Sequence, residues 1–439
     1  MKFADLLDLV RTPGGIPSSR LRADLALVGP VSPDLAGAAL PSSDPAVLAA
    51  DYERHRPAAV TAVVLTRDEE DTIAGCLTAL AQDVDDCLLI DSGSTDATVE
   101  RARAARGDVR ILAAPWVDDF AHHRNLALEH ITEGWIVHVD ADEVLRPEHA
   151  GRIRRSLGLF DFLLPTADFV VSPAIVDIEG PVYTNTQRIL RAGGPFRFRG
   201  RVHEHPYDGA GNAPVRVRID ARFDHSGYLP EVIEKKGKRD LYGRLSRRCH
   251  VEEPDNPKWV YYAVRDTLDY RTASREELMT SFALVEATVA DTPAGAPDYR
   301  TERVVDAWIL LCELAVRFGG TDQIVTYAAR LAEVGRTVEA TYYRTVMESS
   351  RLIGRLSTLV DGISSVEPDE EPGNRHLMAR LFELQSTLAL ASGRYEAVVP
   401  AYRQAVARGA GLSVNEDFEM LGRVLAGVWD DARAGQGPQ

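Results

Sequence analysis

Residues 134–145 read GWIVHVDADEVL. The run Trp135, Ile136, Val137, His138, Val139 is apolar and rich in β-branched residues, which predicts a buried strand. That strand ends on acids: Asp140, Ala141, Asp142 and Glu143. Carboxylates at the mouth of an apolar strand admit three readings: a metal site, a helix cap or a solvated turn. Hard divalent ions take carboxylate oxygens. In an Asp-x-Asp turn the two acids can converge on one side while the small Ala141 leaves room. Asp140 and Asp142 are therefore candidates to hold Mg²⁺ or Mn²⁺ against a diphosphate. Glu143 is assigned a structural place in the first turn of the next segment.

The segments before this strand decide its context. AAVTAVVL (58–65) is an apolar strand, followed over 70–81 by Ile73, Leu77 and Leu80 at helical spacing. CLLI (87–90) is a second strand, and a helix from Asp96 to Ala105 follows, capped by Ser94 or Asp96. VRIL (109–112), a helix over 121–132 and WIVHV complete the run. Strand and helix alternating over about 85 residues imply a parallel sheet covered on both faces. Ligands bind such sheets at the carboxyl ends of the strands. Thr66-Arg67-Asp68-Glu69, Asp91-Ser-Gly-Ser94-Thr-Asp96 and Asp140-Ala-Asp142 all stand there. A carboxylate at such an end can accept from a ribose diol or a base edge, and the Gly and Ser residues permit a tight turn with free backbone donors. A plain helix N-cap loop is the competing reading of any one of them.

IDSGSTDAT, WVDDFAHHRNLAL and WIVHVDADE, in this order and spacing, resemble the nucleotide-sugar half of family 2 glycosyltransferases of the GT-A fold. The resemblance implies an α/β, Rossmann-like transferase domain. It implies that Glu69 and Asp91 hold the uridine of a UDP-sugar, with Thr66 and Ser94 beside them, and that Arg124 lies near the nucleotide or its phosphates. It makes Asp140 and Asp142 the Asp-x-Asp pair, with Asp142 on the metal and Asp140 facing the ribose or the metal's water. The family commonly carries Asn before its Glu. Here the residue is Asp68, which only accepts where an amide also donates.

Residues 160–230 are richer in Pro, Gly, Arg and aromatics, and their short alternating runs suggest an antiparallel half added to the parallel one. DFVVSPAIVDIEGPVYTNTQRILR, FRGRVHEHP, DHSGYLP and EEPDNPKWVYYAVRD together resemble the sublancin-type peptide S-glycosyltransferases, over about 60 to 270 and more weakly beyond. That resemblance implies a cytosolic enzyme that moves a sugar from a UDP-sugar to a cysteine of a ribosomal precursor peptide, and a homodimer supported by the helical domain. Inverting transfer needs a base opposite the leaving diphosphate. Glu204 is the candidate base or acceptor orienter, with His203 as its competitor. A thiol, with a reference pKa of about 8.5, asks little of that base. His225 stands where GT-A enzymes often carry a late histidine ligand, and imidazole beside two carboxylates suits Mn²⁺. The bland alternatives are a salt-bridge turn for His203-Glu204 and a core histidine for His225. Arg188, Arg197, Arg199 and Arg201 form a basic group that would neutralise the diphosphate or grip an acidic peptide. His122 and His123 are given a packing or rim role.

The whole chain sets the limits. It has 439 residues, 45% of them hydrophobic and 26% charged, with a formal net charge of −16. That length accommodates two or three domains. The acidic balance argues against nucleic-acid or anionic-membrane partners. Cys76, Cys87, Cys249 and Cys312 form no CxxC pair, so reduced structural thiols are expected rather than a zinc ribbon. Asp5 and Asp8 interrupt the first apolar run, and no stretch of about 18 apolar residues exists, so neither a signal peptide nor a membrane span is expected and the protein is placed in the cytoplasm. Residues 1–57 read as a helical arm wrapped on the main body, 58–230 as the transferase domain, and 231–439 as an all-α domain of helical hairpins. Within that last part GRYEAVVPAYRQAV (393–406) carries Tyr395, Ala397, Tyr402 and Ala405 in the manner of a TPR-like repeat. Two rival functions stand beside peptide glycosylation. One keeps the chemistry but uses a small-molecule or cell-envelope acceptor. The other is a helical-repeat scaffold with an inactive head.

Overall fold

The computed structural model describes residues 1–426 except 13–14, 17–18, 179, 227–237, 291, 293–294, 368–370, 410–414, 417 and 424–425. Its contacts divide into two compact units, Met1–Leu310 and Leu311–Gln439.

The first unit is built on a ten-stranded mixed sheet. Its parallel part consists of β2 (Val60–Thr66), β3 (Asp86–Asp91), β4 (Arg110–Ala113) and β5 (Trp135–Asp140), in the order β4-β3-β2-β5. β2 and β5 are buried almost end to end, which is the reason their sequences are continuous apolar runs. Helices Ile73–Ala79, Thr98–Ala105 and Phe120–His130 connect them where helical spacing predicts. Gly134 (φ +81°) turns the chain into β5, and a Cβ there would stand 2.2 Å from the Ala59 carbonyl oxygen.

Beyond β5 the sheet continues with β9 (Ile189–Arg191), β7 (Val170–Asp177), β12 (Arg216–His225) and β1 (Val28–Val31). β6 (Glu143–Leu145) pairs with β12 and β8 (Val182–Tyr183) with β7, while β10 (Arg197–Arg199) and β11 (His205–Tyr207) form a separate ribbon. The expectation of an antiparallel half is only partly met. β9 is antiparallel to β5 and β7, but β12 runs parallel to β7. The long connection between β7 and β12 permits that crossover, which a tight hairpin would not. β12 alternates exposed and buried residues along its length, the mark of a strand with one wet face.

The amino-terminal arm is part of the core. Phe3, Leu6, Leu21 and Leu25 are buried in the same cluster as Val60, Trp135 and Phe160. β1 adds a strand against β12, pairing Val28 with Ile219. Asp24, fully buried, accepts from Arg155 at 2.6 Å and from the Tyr52 hydroxyl at 2.8 Å. Helices Lys238–Glu252, Pro257–Thr267, Arg275–Ala290 and Asp298–Thr301 also belong to this unit.

In the second unit, helices Thr321–Glu333, Thr337–Ser364, Arg375–Ala391 and Tyr395–Ala407 follow one another in antiparallel hairpins, with Gly335 and Gly393 in the left-handed region at two turns. Ala401 and Ala405 are buried while Tyr395 is exposed. No helix among the described residues is long and apolar enough to cross a membrane. All four cysteines are buried and unpaired.

Candidate active site

Parallel register brings the three acidic strand ends together. Thr66 at the end of β2 pairs with Asp91 of β3, and Leu65 pairs with Asp140 of β5. The first two ends are laced to each other. Asp68 sits in the left-handed region (φ +53°), where Asn and Asp are the favoured non-glycine residues. Its Oδ1 accepts from the Thr95 backbone at 2.7 Å and the Thr95 hydroxyl at 3.1 Å, while its own N–H donates to Ser94 Oγ at 3.0 Å. Asp91 Oδ1 accepts from the Ser94 N–H at 3.1 Å. Glu69 donates through its N–H to Thr98 Oγ1 at 2.7 Å and accepts from the Thr72 hydroxyl at 3.0 Å. Asp96 accepts from the Thr98 N–H at 3.0 Å, but the N-cap position is Ala97, which makes no side-chain cap bond, so neither Ser94 nor Asp96 is the helix cap expected. The buried Thr66 hydroxyl has no hydrogen-bond partner among the described residues. Such a group on the floor of a site is open to a ligand.

The third end is charged on both sides. β9 runs antiparallel to β5, so Arg188, just before β9, arrives beside the end of β5. It binds Asp140 in bidentate fashion, Nη1 to Oδ1 at 2.9 Å and Nη2 to Oδ2 at 2.6 Å, and reaches Glu143 Oε1 at 3.0 Å. Arg124, on the helix Phe120–His130, adds Nη2 to Asp140 Oδ1 at 3.1 Å. Burial opposes ionisation of Asp140, but the two guanidinium groups win and hold its carboxyl well below the usual range. Glu143 moves the other way. Burial raises its pKa to about 7, with Arg188 opposing and Asp140 adding repulsion. Glu143 does not occupy the turn expected of it. It opens β6 and is 2% exposed, because pairing with β12 draws it under the site.

Asp142 stands at the far side of the turn. His225 Nε2 lies 3.5 Å from its Oδ1 and Lys238 Nζ 3.5 Å from its Oδ2. His225 Nδ1 lies 2.7 Å from Asp177 Oδ1. Burial works to lower the pKa of His225, yet the bonds and charges of Asp142 and Asp177 outweigh it and raise the value to about 9. Among the described residues no three His, Cys, Asp or Glu groups close around one point. Two donors, one oxygen and one nitrogen, do face each other. Asp142, and His225 once Nε2 has given up its proton, are the residues that would hold a Mg²⁺ or Mn²⁺ ion there. Asp140 fits less well as a direct ligand, since both its oxygens already accept from arginine.

The loop after β10 carries the acceptor-side candidates. Gly200 has φ +106°, and a Cβ there would lie 2.5 Å from the Trp259 ring. The next residues are each held by a different element. His203 (φ +51°) lies 2.8 Å from Asp266 Oδ2 and stacks on Tyr262 with centroids 3.9 Å apart. Burial lowers its pKa against the pull of Asp266. Glu204 Oε1 accepts from Arg124 Nε at 2.6 Å. His205 faces Glu302, which also takes the Tyr207 hydroxyl at 2.5 Å and the buried Lys258 ammonium at 3.0 Å. Arg124 thus joins the third strand end to Glu204.

Other expected residues fall elsewhere. Arg188 is in the site, but Arg201 pairs with Glu252 at 2.8 Å, and Arg197 and Arg199 donate to backbone carbonyls. The four arginines do not make one patch. His123 packs as expected, stacked on Trp116 at 5.1 Å, and His122 is exposed. Asp177, Asp266, Glu302 and Lys258 were not singled out from the sequence. Each lies far along the chain from the residue it holds, and no local pattern marks it.

Residues 61–222 match the model of glycosyl transferase family 2. The chain carries a family 2 glycosyltransferase domain. Over 327 residues the chain is 28% identical to the prophage-derived glycosyltransferase SunS of Bacillus subtilis, covering 74% of each protein. It is 27% identical to the lipopolysaccharide core biosynthesis glycosyltransferase LpsC of Rhizobium meliloti, over 46% of this chain and 74% of that protein. A TPR repeat-containing protein of Synechococcus elongatus is 26% identical over 46% of this chain and 50% of its own. Among solved structures, S. aureus TarS is similar at 15% identity and a TM-score of 0.37, over 66% of this chain and 55% of that one. The mixed sheet of the transferase domain is GT-A-like, and the chain is a glycosyltransferase.

Proposed function

We propose that this chain transfers a sugar from a UDP-sugar, UDP-glucose foremost, to a cysteine, or alternatively a Ser/Thr side chain, of a ribosomal precursor peptide in the cytoplasm. The observation that carries this reading is the meeting of the donor-side strand ends with Glu204 through Arg124. The peptide acceptor rests on the resemblance to sublancin-type peptide S-glycosyltransferases, alongside the 28% identity to the prophage glycosyltransferase over three-quarters of both chains.

Thr66, Glu69, Asp91 and Ser94 hold the uridine, and Arg124 lies beside the nucleotide. Asp140, already gripped by arginines, faces the ribose, and Ala141 leaves the turn open. Asp142 and His225 would hold Mg²⁺ or Mn²⁺, and the bound ion would supply positive charge against the leaving diphosphate. Glu204 takes the acceptor proton, with His203 as the alternative base. The acceptor sulfur bonds to the anomeric carbon, the bond from that carbon to the diphosphate oxygen breaks, and the configuration inverts. Residues 1–57, 58–230 and 231–439 serve as arm, catalytic domain and helical domain, the last supporting a homodimer and an extended peptide.

A cell-envelope or other small acceptor is the second reading, favoured by the likeness to the lipopolysaccharide core enzyme. An inactive scaffold is disfavoured by Asp142, His225 and Glu204 being present together. Incubation with a panel of UDP-sugars and Mn²⁺ or Mg²⁺ should release UDP, and Asp142→Ala should abolish that release. Mass spectrometry of a candidate precursor peptide, with and without prior thiol alkylation, separates Cys from Ser/Thr and peptide from other acceptors. No binding or turnover with any sugar nucleotide would overturn the enzyme reading.

A further inference from the structure

We infer that Asp177 is a positioning residue for metal binding, acting through His225. This rests on the metal-dependent reading above. β7 ends on Asp177 and β12 on His225, and the two residues are directly paired across parallel strands. On its other side His225 pairs with Glu143 of β6. The backbone of His225 is therefore fixed from both flanks, and only the ring orientation is left to choose. Asp177 bears directly on that choice. Its Oδ1 lies 2.7 Å from Nδ1, and a carboxylate oxygen accepts there, so Nδ1 carries the hydrogen. Nε2 is then the nitrogen turned to Asp142, at 3.5 Å.

Asp142, His225 and Asp177 are 7%, 8% and 6% exposed, so the row is built into the sheet rather than laid on its surface. Asp177 also binds the Tyr183 hydroxyl on β8. A carboxylate behind a ligating imidazole fixes its tautomer and strengthens it as a donor.

Mn²⁺ binding, followed by electron paramagnetic resonance of the free ion in the presence of UDP, tests the assignment without reference to turnover. Asp177→Asn should raise the Kd for Mn²⁺ by about 10- to 100-fold, and Asp177→Glu should recover part of it. In a His225→Ala background, Asp177→Asn should change nothing further. Tyr183→Phe removes another Asp177 contact and should leave the Kd as it was, with melting curves reporting fold for every variant. An unchanged Kd in Asp177→Asn, or an equal loss with and without His225, would overturn the inference. Wild-type protein that binds no Mn²⁺ would instead bring down the metal reading itself, and the inference with it.

Discussion

The guanidinium of Arg124 donates through Nε to Glu204 at 2.6 Å and through Nη2 to Asp140 at 3.1 Å, tying the loop after β10 to the end of β5 with one rigid fork. A lysine offers a point charge and cannot serve both directions at once. Arg124→Lys should lower kcat/KM for UDP release about 10- to 100-fold, the loss of one charged hydrogen bond of about 1.5–3 kcal/mol. The folded structure should persist, as read by circular dichroism. Unchanged kinetics would show that the bridge has no part in turnover.

Asp68 works through conformation and acceptance. Its φ of +53° suits Asn as well as Asp, and an amide oxygen can still take the Thr95 donors. Asp68→Asn should therefore change UDP affinity by only a few fold. Asp68→Ala loses the acceptor and strains a left-handed position, at a cost of about 1–3 kcal/mol. Calorimetric titration with UDP should rank the two variants in that order.

Gly200 has a backbone that side chains rarely adopt, and its missing Cβ makes room for Trp259. Gly200→Ala should displace the loop that carries His203 and Glu204. A loss of about 1–3 kcal/mol in urea unfolding is expected, together with a loss of activity greater than any loss of UDP binding. Equal loss of both would place the damage outside the acceptor loop.

Glu302 anchors the network under the same loop, and its carboxyl is held far below its ordinary value. Burial opposes this, but the bonds to His205 and Tyr207 and the Lys258 charge prevail. A depressed pKa contributes stability that is complete above the unfolded value of 4.5 and is lost as the pH falls below it. Wild-type stability should fall with acid from about pH 4.5 downward, and Glu302→Gln should flatten that fall. At neutral pH the variant leaves Lys258 buried without its counter-charge and should cost about 3–5 kcal/mol. Urea unfolding at pH 7, 5, 4 and 3 checks both statements.

The strand-and-helix order from 58 to 140 was legible because each element writes its own burial into a local period. Strands buried on both faces become continuous apolar runs, and their helices show one apolar stripe. The acidic strand ends were legible for the same reason, since each sits where a run stops. β1 was not legible: VGPV is short, and its partner β12 lies almost two hundred residues on. The parallel pairing of β12 with β7 was equally hidden, because alternation reports which face is buried and not the direction of the neighbouring strand.

Asp140 and Asp142 were visible in GWIVHVDADEVL, and their likeness to a known family made them candidates for a nucleotide-sugar site. Sequence alone determined that three acidic strand ends share one edge of a parallel sheet, since that follows from local periodicity and chain order. Only the tertiary structure decided what each acid does there. It gave Asp140 to two arginines, turned Asp142 toward His225, drew Glu143 beneath them and tied Glu204 back to Arg124. Those assignments depend on side chains that meet across strands and loops far apart in the chain, where distance and burial, not spacing, set the partner.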